Sequence, residues 1–209
     1  MFNKRSNTGF TIVELLVVLA VASIVLSLIY QVYRAQLKSH TTQQELVGMQ
    51  QNLRAVLYLM EREIRMAGHA PNGGVPDPAI SIARIDSIAF AMDLTEYAPE
   101  DTSTGDVAQP GEQISYFLDP DTGELIRNAG SGNQTLLRSG DIDLVTFVYK
   151  DSDGHTLDDD GNGNLTAADS LRAIRTVEVV LDASIGATPM VSPHQMQLRS
   201  EVKCRNLGL

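Results

Sequence analysis

The chain has 209 residues, of which 43% are hydrophobic, enough for a packed core and too many for wholesale disorder. Its 26 acidic and 16 basic residues give a formal net charge of −10, with Lys4, Arg5, Arg34, Lys38, Arg54, Arg62 and Arg65 in the first third and Asp and Glu dominant from Asp77 to Asp182. So acidic a later part argues against nucleic acid as a partner, because phosphate binding needs clustered Lys and Arg, and favours cations instead.

Residues 1–9, MFNKRSNTG, are short, polar and basic. From Phe10 to Tyr30 the chain reads FTIVELLVVLAVASIVLSLIY. A bilayer-spanning helix needs roughly 20 apolar residues, and this run supplies them. Lys4 and Arg5 precede it, so the positive-inside bias keeps the N-terminus in the cytoplasm and sends the rest across. Glu14 alone breaks the run. A carboxylate in hydrocarbon is costly and should have a partner. A cut between Gly9 and Phe10 would create an α-amine at Phe10, one helical turn from Glu14 and on the same face. In an assembly, the amine of one subunit could instead meet the carboxylate of its neighbour.

A basic leader ending in Gly9, followed by Phe10, Thr11, Ile12, Val13, Glu14 and an apolar helix, closely resembles the type III signal of type IV prepilins and pseudopilins. The resemblance implies cleavage after Gly9 by a prepilin peptidase, N-methylation of Phe10, and a role for Glu14 in docking the subunit into a filament. Two plainer readings compete. An ordinary secretory signal would use Ala20-Val21-Ala22 as its small-residue site, but that site lies inside the apolar run and Glu14 interrupts the apolar region. An uncleaved membrane anchor explains the span and leaves Glu14 unpaired.

Helical spacing continues beyond the span. Leu46, Met49, Leu53, Val56, Met60 and Ile64 recur at three- and four-residue steps, and Glu61 and Arg65 are spaced as an i, i+4 ion pair. Gly68 followed by Pro71 marks a helix stop. One helix from about Phe10 to Ala67 is predicted, with residues 10–30 as the transmembrane and polymerisation segment and 31–68 as an amphipathic continuation. The polar stretch Ser39 to Glu45 is its weak point, and its second half should pack on the domain formed by residues 69–209. There, Pro, Gly and Asp punctuate short alternating runs. Strands are predicted at Ser87–Met92, Gln113–Leu118, Glu124–Asn128, Leu144–Lys150, Thr176–Ala183 and Met196–Lys203. Asp119-Pro120-Asp121-Thr122-Gly123 reads as a hairpin turn, and Thr95 to Pro110 as loop. A helix followed by many short strands suggests an α+β fold with an antiparallel sheet on the helix.

Met60-Glu-Arg-Glu-Ile-Arg-Met-Ala-Gly68 resembles the helix-end segment of PilW-type minor pilins, and Leu198-Arg199 with Arg205-Asn206-Leu207 is similar to their C-terminal strand. The J-type pseudopilins of type II secretion share this plan.

The segment Asp158 to Asp169 has the spacing of an EF-hand calcium loop. Asp158, Asp160 and Asn162 take positions 1, 3 and 5, and Gly163 takes the sharp turn at 6. The Asn164 carbonyl falls at position 7, Leu165 at 8, and Thr166 at the often water-bridged position 9. Asp169 falls at position 12, where Glu is usual, so the loop is more similar to dockerin-type loops than to signalling EF-hands. Strand and turn precede it, and Ala167 to Ile174 can form a short exit helix. The expectation is a lone structural Ca2+ loop on a sheet. An acidic Asx/Gly turn is the alternative. Asp151 and Asp153 stand nearby, and their spacing decides nothing.

Catalytic sets are absent from the sequence. His40, His69, His155 and His194 have no metal-type pairing, and no Gly-x-Ser-x-Gly, P-loop or Gly-rich phosphate fingerprint occurs. Cys204, the single cysteine, cannot form an intrachain disulfide and reads as buried filler. The expected function is not enzymatic. It is that of a minor type IV pilin, a structural subunit that helps initiate or cap a pilus. Such a subunit starts in the bacterial inner membrane with its globular domain periplasmic, then moves to the pilus and cell surface. Its expected partners are the prepilin peptidase and other pilins met through the N-terminal helix. A type II secretion pseudopilin is the alternative in the same class. A membrane-tethered, calcium-dependent binding module is the alternative in a different one.

Overall fold

Helix α1 runs unbroken from Ile12 to Arg65 in the computed structural model, which describes residues 10–70, 77–93, 111–185 and 194–207. The polar stretch Ser39 to Glu45 does not interrupt it. The chain divides into two units, Met1–Leu46 and Val47–Leu209. The first consists, in its described part, of the N-terminal two-thirds of α1. Its large apolar side chains from Phe10 to Leu37 are exposed, and the Arg34 guanidinium lies 5.9 Å from the centre of the Tyr30 ring.

Among its described residues, the second unit joins the end of α1 to eight strands and one short helix. Strands β1 (Ile80–Ala83), β2 (Ser87–Ala91), β3 (Gln113–Leu118), β4 (Leu125–Asn128) and β5 (Asn133–Leu137) form an antiparallel meander in that order. Strands β6 (Leu144–Lys150), β7 (Thr176–Ile185) and β8 (His194–Lys203) form a second antiparallel sheet, with α2 (Ala168–Ala173) between β6 and β7. The predicted α+β class is present, with two sheets where a single one was expected. The break falls at Arg138–Asp143, where Asp141 donates its N–H to the Arg138 carbonyl and the chain leaves the meander. The sheets are tied together by the Phe147 N–H on the Ile85 carbonyl at 2.8 Å and by the Tyr149 hydroxyl on the Arg84 and Ser87 carbonyls.

Two strands escaped prediction for local reasons. β1 has four residues and a bulge between Ile80 and Ile82, so its alternation is broken. β5 reads Asn-Gln-Thr-Leu-Leu and lies at the sheet edge, its first three residues exposed. The hairpin at Asp119–Gly123 forms as predicted, with the Asp119 N–H on the Glu124 carbonyl at 2.9 Å.

The helical stripe is core. Met49, Leu53, Val56, Met60 and Ile64 are buried, joined by Leu57 and Ala67, with Leu46 half-buried. They pack with Phe90, Tyr116, Leu125, Phe147, Tyr149 and Leu181 in one cluster. Glu61 does not pair with Arg65. It accepts a short hydrogen bond from the Ser200 hydroxyl of β8, because its side chain faces that sheet rather than solvent. The last turn of α1 tightens at Met66 and Ala67 and ends on Gly68, whose φ is 76° and whose N–H donates to the Ala91 carbonyl at 2.8 Å. A Cβ at this position would press on the end of the Leu207 side chain at 2.8 Å, and the positive φ favours glycine. Pro71 lies outside the described residues.

Candidate functional site

The start of α1 is a reciprocal cap. The Glu14 N–H donates to the Thr11 hydroxyl oxygen at 3.2 Å. In return, the Thr11 N–H and the Thr11 hydroxyl donate to Glu14 Oε2, each at 3.0 Å. Thr11-Ile12-Val13-Glu14 is therefore a capping box, satisfying donors that the first turn of a helix leaves open. The sequence reading had sought a partner for Glu14 in an amine at Phe10. In the uncut chain the partner is Thr11, and the Thr-x-x-Glu spacing was the signal that pointed to it. Gly9 lies outside the described residues.

Every large apolar side chain from Phe10 to Leu37 is exposed, Phe10 at 84%. Burying a side chain of that size is worth about 1.5–3 kcal/mol, so water is a poor solvent for this whole cylinder. The helix is long and apolar enough to cross a membrane. The family model of the prokaryotic N-terminal methylation motif matches residues 4–30, a span that contains Gly9, Phe10, Thr11 and Glu14. The chain carries a prokaryotic N-terminal methylation motif, which supports a type IV pilin-like reading. No curated protein and no solved structure matches it.

In the second unit, the calcium-type loop is a nest of side-chain-to-backbone bonds. Asp158 Oδ1 accepts the N–H groups of Asp160 at 3.1 Å and Gly161 at 2.8 Å. Asp160 Oδ1 accepts from the Asn162 and Asn164 N–H groups at 2.8 and 3.2 Å, and Asp160 Oδ2 accepts from the Asn164 side-chain amide at 2.7 Å. These bonds, the Asn164 amide foremost and the Asn162 N–H next, hold the Asp160 carboxyl at about 2. Asn164 anchors the loop through its Oδ1, which accepts the Ile85 N–H at 3.0 Å.

Two expected ligand groups are engaged elsewhere. The Asn164 carbonyl accepts the Asp159 N–H at 3.0 Å, and the Asp169 carboxylate sits 3.4 Å from the Arg172 guanidinium. Thr166 donates its N–H to Asp159 Oδ2. The loop therefore gathers Asp158, Asp160, Asn162 and Asn164 in one turn, while Asp169 on α2 lies against Arg172. Among the described residues, the ionisable ligand groups that converge within 4.8 Å are those of Asp151, Asp153 and His155.

Asp159 carried no role in the sequence reading, yet it organises the exit from the loop. Its Oδ2 accepts the Thr166 and Ala167 N–H groups, each at 2.8 Å, and its Oδ1 accepts the Ser170 hydroxyl at 2.6 Å. The Ser170 hydroxyl first, then the two N–H groups, lower its carboxyl below the ordinary range.

A second set of residues was missed. Glu63 of α1, Tyr116 of β3 and Arg127 of β4 form a buried polar network. Burial first, and the Glu63 carboxylate next, push the Tyr116 hydroxyl well above its ordinary range, so it remains a donor. The signal lay in the stripe itself, because Glu63 stands between Met60 and Ile64 on the face that turns inward. Cys204 is buried just past β8, and burial pushes its thiol up to about 12, as suits filler rather than a nucleophile.

Proposed function

We propose that this prepilin is a minor type IV pilin, a structural subunit that helps initiate or cap a pilus. The observation that carries the reading is the exposed apolar helix headed by the Thr11–Glu14 capping box inside a methylation motif. In this reading the peptidase cuts after Gly9 and frees an amine at Phe10, which is then methylated. The membrane stores the subunit by solvating the helix from Phe10 to Tyr30, with the β-rich unit on the periplasmic side. Assembly then exchanges lipid for neighbouring helices, and Glu14 exchanges Thr11 for the Phe10 amine of an adjacent subunit. The subunit ends on the pilus at the cell surface, with an acidic unit displayed outward. The deciding experiment is a gene deletion with plasmid complementation, scored for surface fibres and for protein secretion. Loss of fibres supports the minor-pilin role. Normal fibres with a secretion defect would move the protein to the type II secretion pseudopilins.

We further propose a structural calcium at Asp158–Asp169. Its support is the spacing of oxygen-bearing residues and the turn that already gathers four of them. Binding requires Asp169 to exchange Arg172 for the cation and Asn164 to release its carbonyl from Asp159.

A further inference from the structure

β8 is ten residues long and pairs with β7 in unbroken register, from Thr176 opposite Lys203 to Ile185 opposite His194. It is the outer strand of its sheet, and among the described residues nothing pairs with its other side. Sheet edges are normally shortened, bulged, interrupted by proline, studded with lysine or covered, because an open row of N–H and C=O groups templates further pairing. β8 has no proline and no bulge, and its one lysine is its last residue.

The direction of its backbone is fixed. The Cys204 N–H donates to the Arg175 carbonyl at 2.9 Å, in register with the β7–β8 ladder, so the Lys203 carbonyl on the other side of that peptide points away. On β7, the Asp182 carbonyl accepts from Asp143 on the β6 side, so the odd-numbered residues of β7 address β8. Even-numbered residues of β8 therefore bond β7, and Gln195, Gln197, Arg199, Glu201 and Lys203 turn their backbone groups to the open edge. The same five expose their side chains on the outer face, while Met196, Leu198 and Ser200 are half-buried and Val202 is buried on the inner face.

We propose that β8 pairs antiparallel with β8 of a second copy of this chain, about a two-fold axis at Ser200. The charges favour this register: Arg199, which holds Glu178 of its own sheet at 2.7 Å, and Glu201, 3.7 Å from Lys150, lie exposed on the outer face and can extend these pairs across the axis. Arg199 of each copy then faces Glu201 of the other, and Gln197 faces Lys203. On the inner face Leu198 meets Val202 and Met196 meets Cys204, which covers apolar side chains that are only half-buried in one copy. An axis at Arg199 or Glu201 sets like charges directly opposite, which is destabilising. An axis at Val202 sets Arg199 against Arg205 and leaves much of β8 unpaired. An axis between residues would put outer side chains against inner ones. An axis at Leu198 sets Arg199 against Gln197 and Glu201 against Gln195 without an ion pair, so the axis at Ser200 is the one that pairs most of the strand and sets opposite charges together. This inference does not depend on the pilus reading.

The test uses the full-length chain in bacterial membranes, carrying Ser200→Cys. In such a pair the two central Cα atoms lie about 4.5 Å apart, within disulfide reach. Mild oxidation should give a reducible dimer of twice the chain mass that the unsubstituted chain, with Cys204 buried, does not form. Adding Gln197→Pro should abolish the dimer, because the Gln197 N–H serves the open edge, whereas Gln197→Ala, which loses only the side-chain bond to Asp182 Oδ1, should keep it. If Ser200→Cys fails to fold, Leu198→Cys and Val202→Cys on two differently tagged copies make the same test, since those residues face each other. Absence of a dimer in both tests, a dimer indifferent to Gln197→Pro, or capture of a different protein alone would overturn the proposal.

Discussion

Glu63 of α1 holds Arg127 of β4 through both carboxylate oxygens, at 2.9 and 2.8 Å, and takes the Tyr116 hydroxyl as well. The helix end is thus bolted to the five-stranded sheet by a charge pair inside an apolar cluster. A paired buried charge adds little over a well-packed apolar group, but orphaning one partner is costly. Arg127→Leu should destabilise the second unit by about 3 kcal/mol, at the lower end for such sites because the guanidinium keeps 17% exposure. The double variant Glu63→Met with Arg127→Leu should recover most of that loss. Denaturant melts of the four forms of the cycle check both statements, and additive losses would show that the pair is not coupled.

Processing is predicted between Gly9 and Phe10, with a methylated amine on Phe10. Intact mass of the protein from its native host measures it directly. A mature chain beginning at Met1 or at Ser23 contradicts the prepilin mechanism.

Glu14→Ala should still enter the membrane, since removing a carboxylate eases insertion, but should assemble poorly. Thr11→Ala separates the cap from the assembly contact. It removes the cap at a cost of about 1 kcal/mol of helix stability while leaving the carboxylate for a neighbour. Membrane-fraction levels compared with surface-fibre counts give the answer. Equal fibre loss in both variants would mean that Glu14 acts only as half of the capping box.

Calcium should stabilise the chain if the Asp158–Asp169 loop binds it, by about 2.7 kcal/mol at a hundredfold excess over the dissociation constant. Magnesium should do less, because it demands tighter octahedral geometry and releases its waters reluctantly. Thermal melts in calcium, magnesium and chelator decide, with Asp158→Ala abolishing the response. Identical melts in calcium and chelator would leave the loop as an acidic turn.

The same loop sets an acid limit. Asp160 titrates at about 2 instead of the ordinary 3.8, and Asp159 is lowered too. A carboxyl lowered by folding adds stability above its unfolded value and loses it as pH falls towards the folded one. In chelator, melting temperature should therefore fall between about pH 4 and pH 2, and Asp160→Asn should flatten that fall. An unchanged slope in the variant would locate the acid sensitivity elsewhere.

Most of this architecture could be read in the residues because each signal was local. The apolar run, the 3.6-residue stripe from Met49 to Ile64, the Gly68 stop and the alternation in β3 and β6 are all written within single elements. What escaped depends on distant partners. Glu61 was assigned to Arg65 four residues on, whereas its partner Ser200 is 139 positions away. The division into two sheets hangs on Arg138–Asp143, whose Ser139-Gly140-Asp141 marks a turn but does not tell whether the next strand rejoins the same sheet. At the loop, spacing exposed the run of carboxylates but not the division of labour, in which Asp159 serves α2 and Asp158 and Asp160 serve the turn.

The contact between Glu61 and Ser200 also orders events in time. The inner face of β8, with Val202 in the core, adds to the cluster that holds the end of α1, yet β8 is synthesised after every other described strand. Contacts this remote in sequence form slowly because a long loop must close first. Until the ribosome has passed Lys203, the cluster around the end of α1 lacks Val202, and Glu61 lacks Ser200. A chain cut short before β8 therefore presents a sticky helix to chaperones and proteases, and only a full-length chain conceals it.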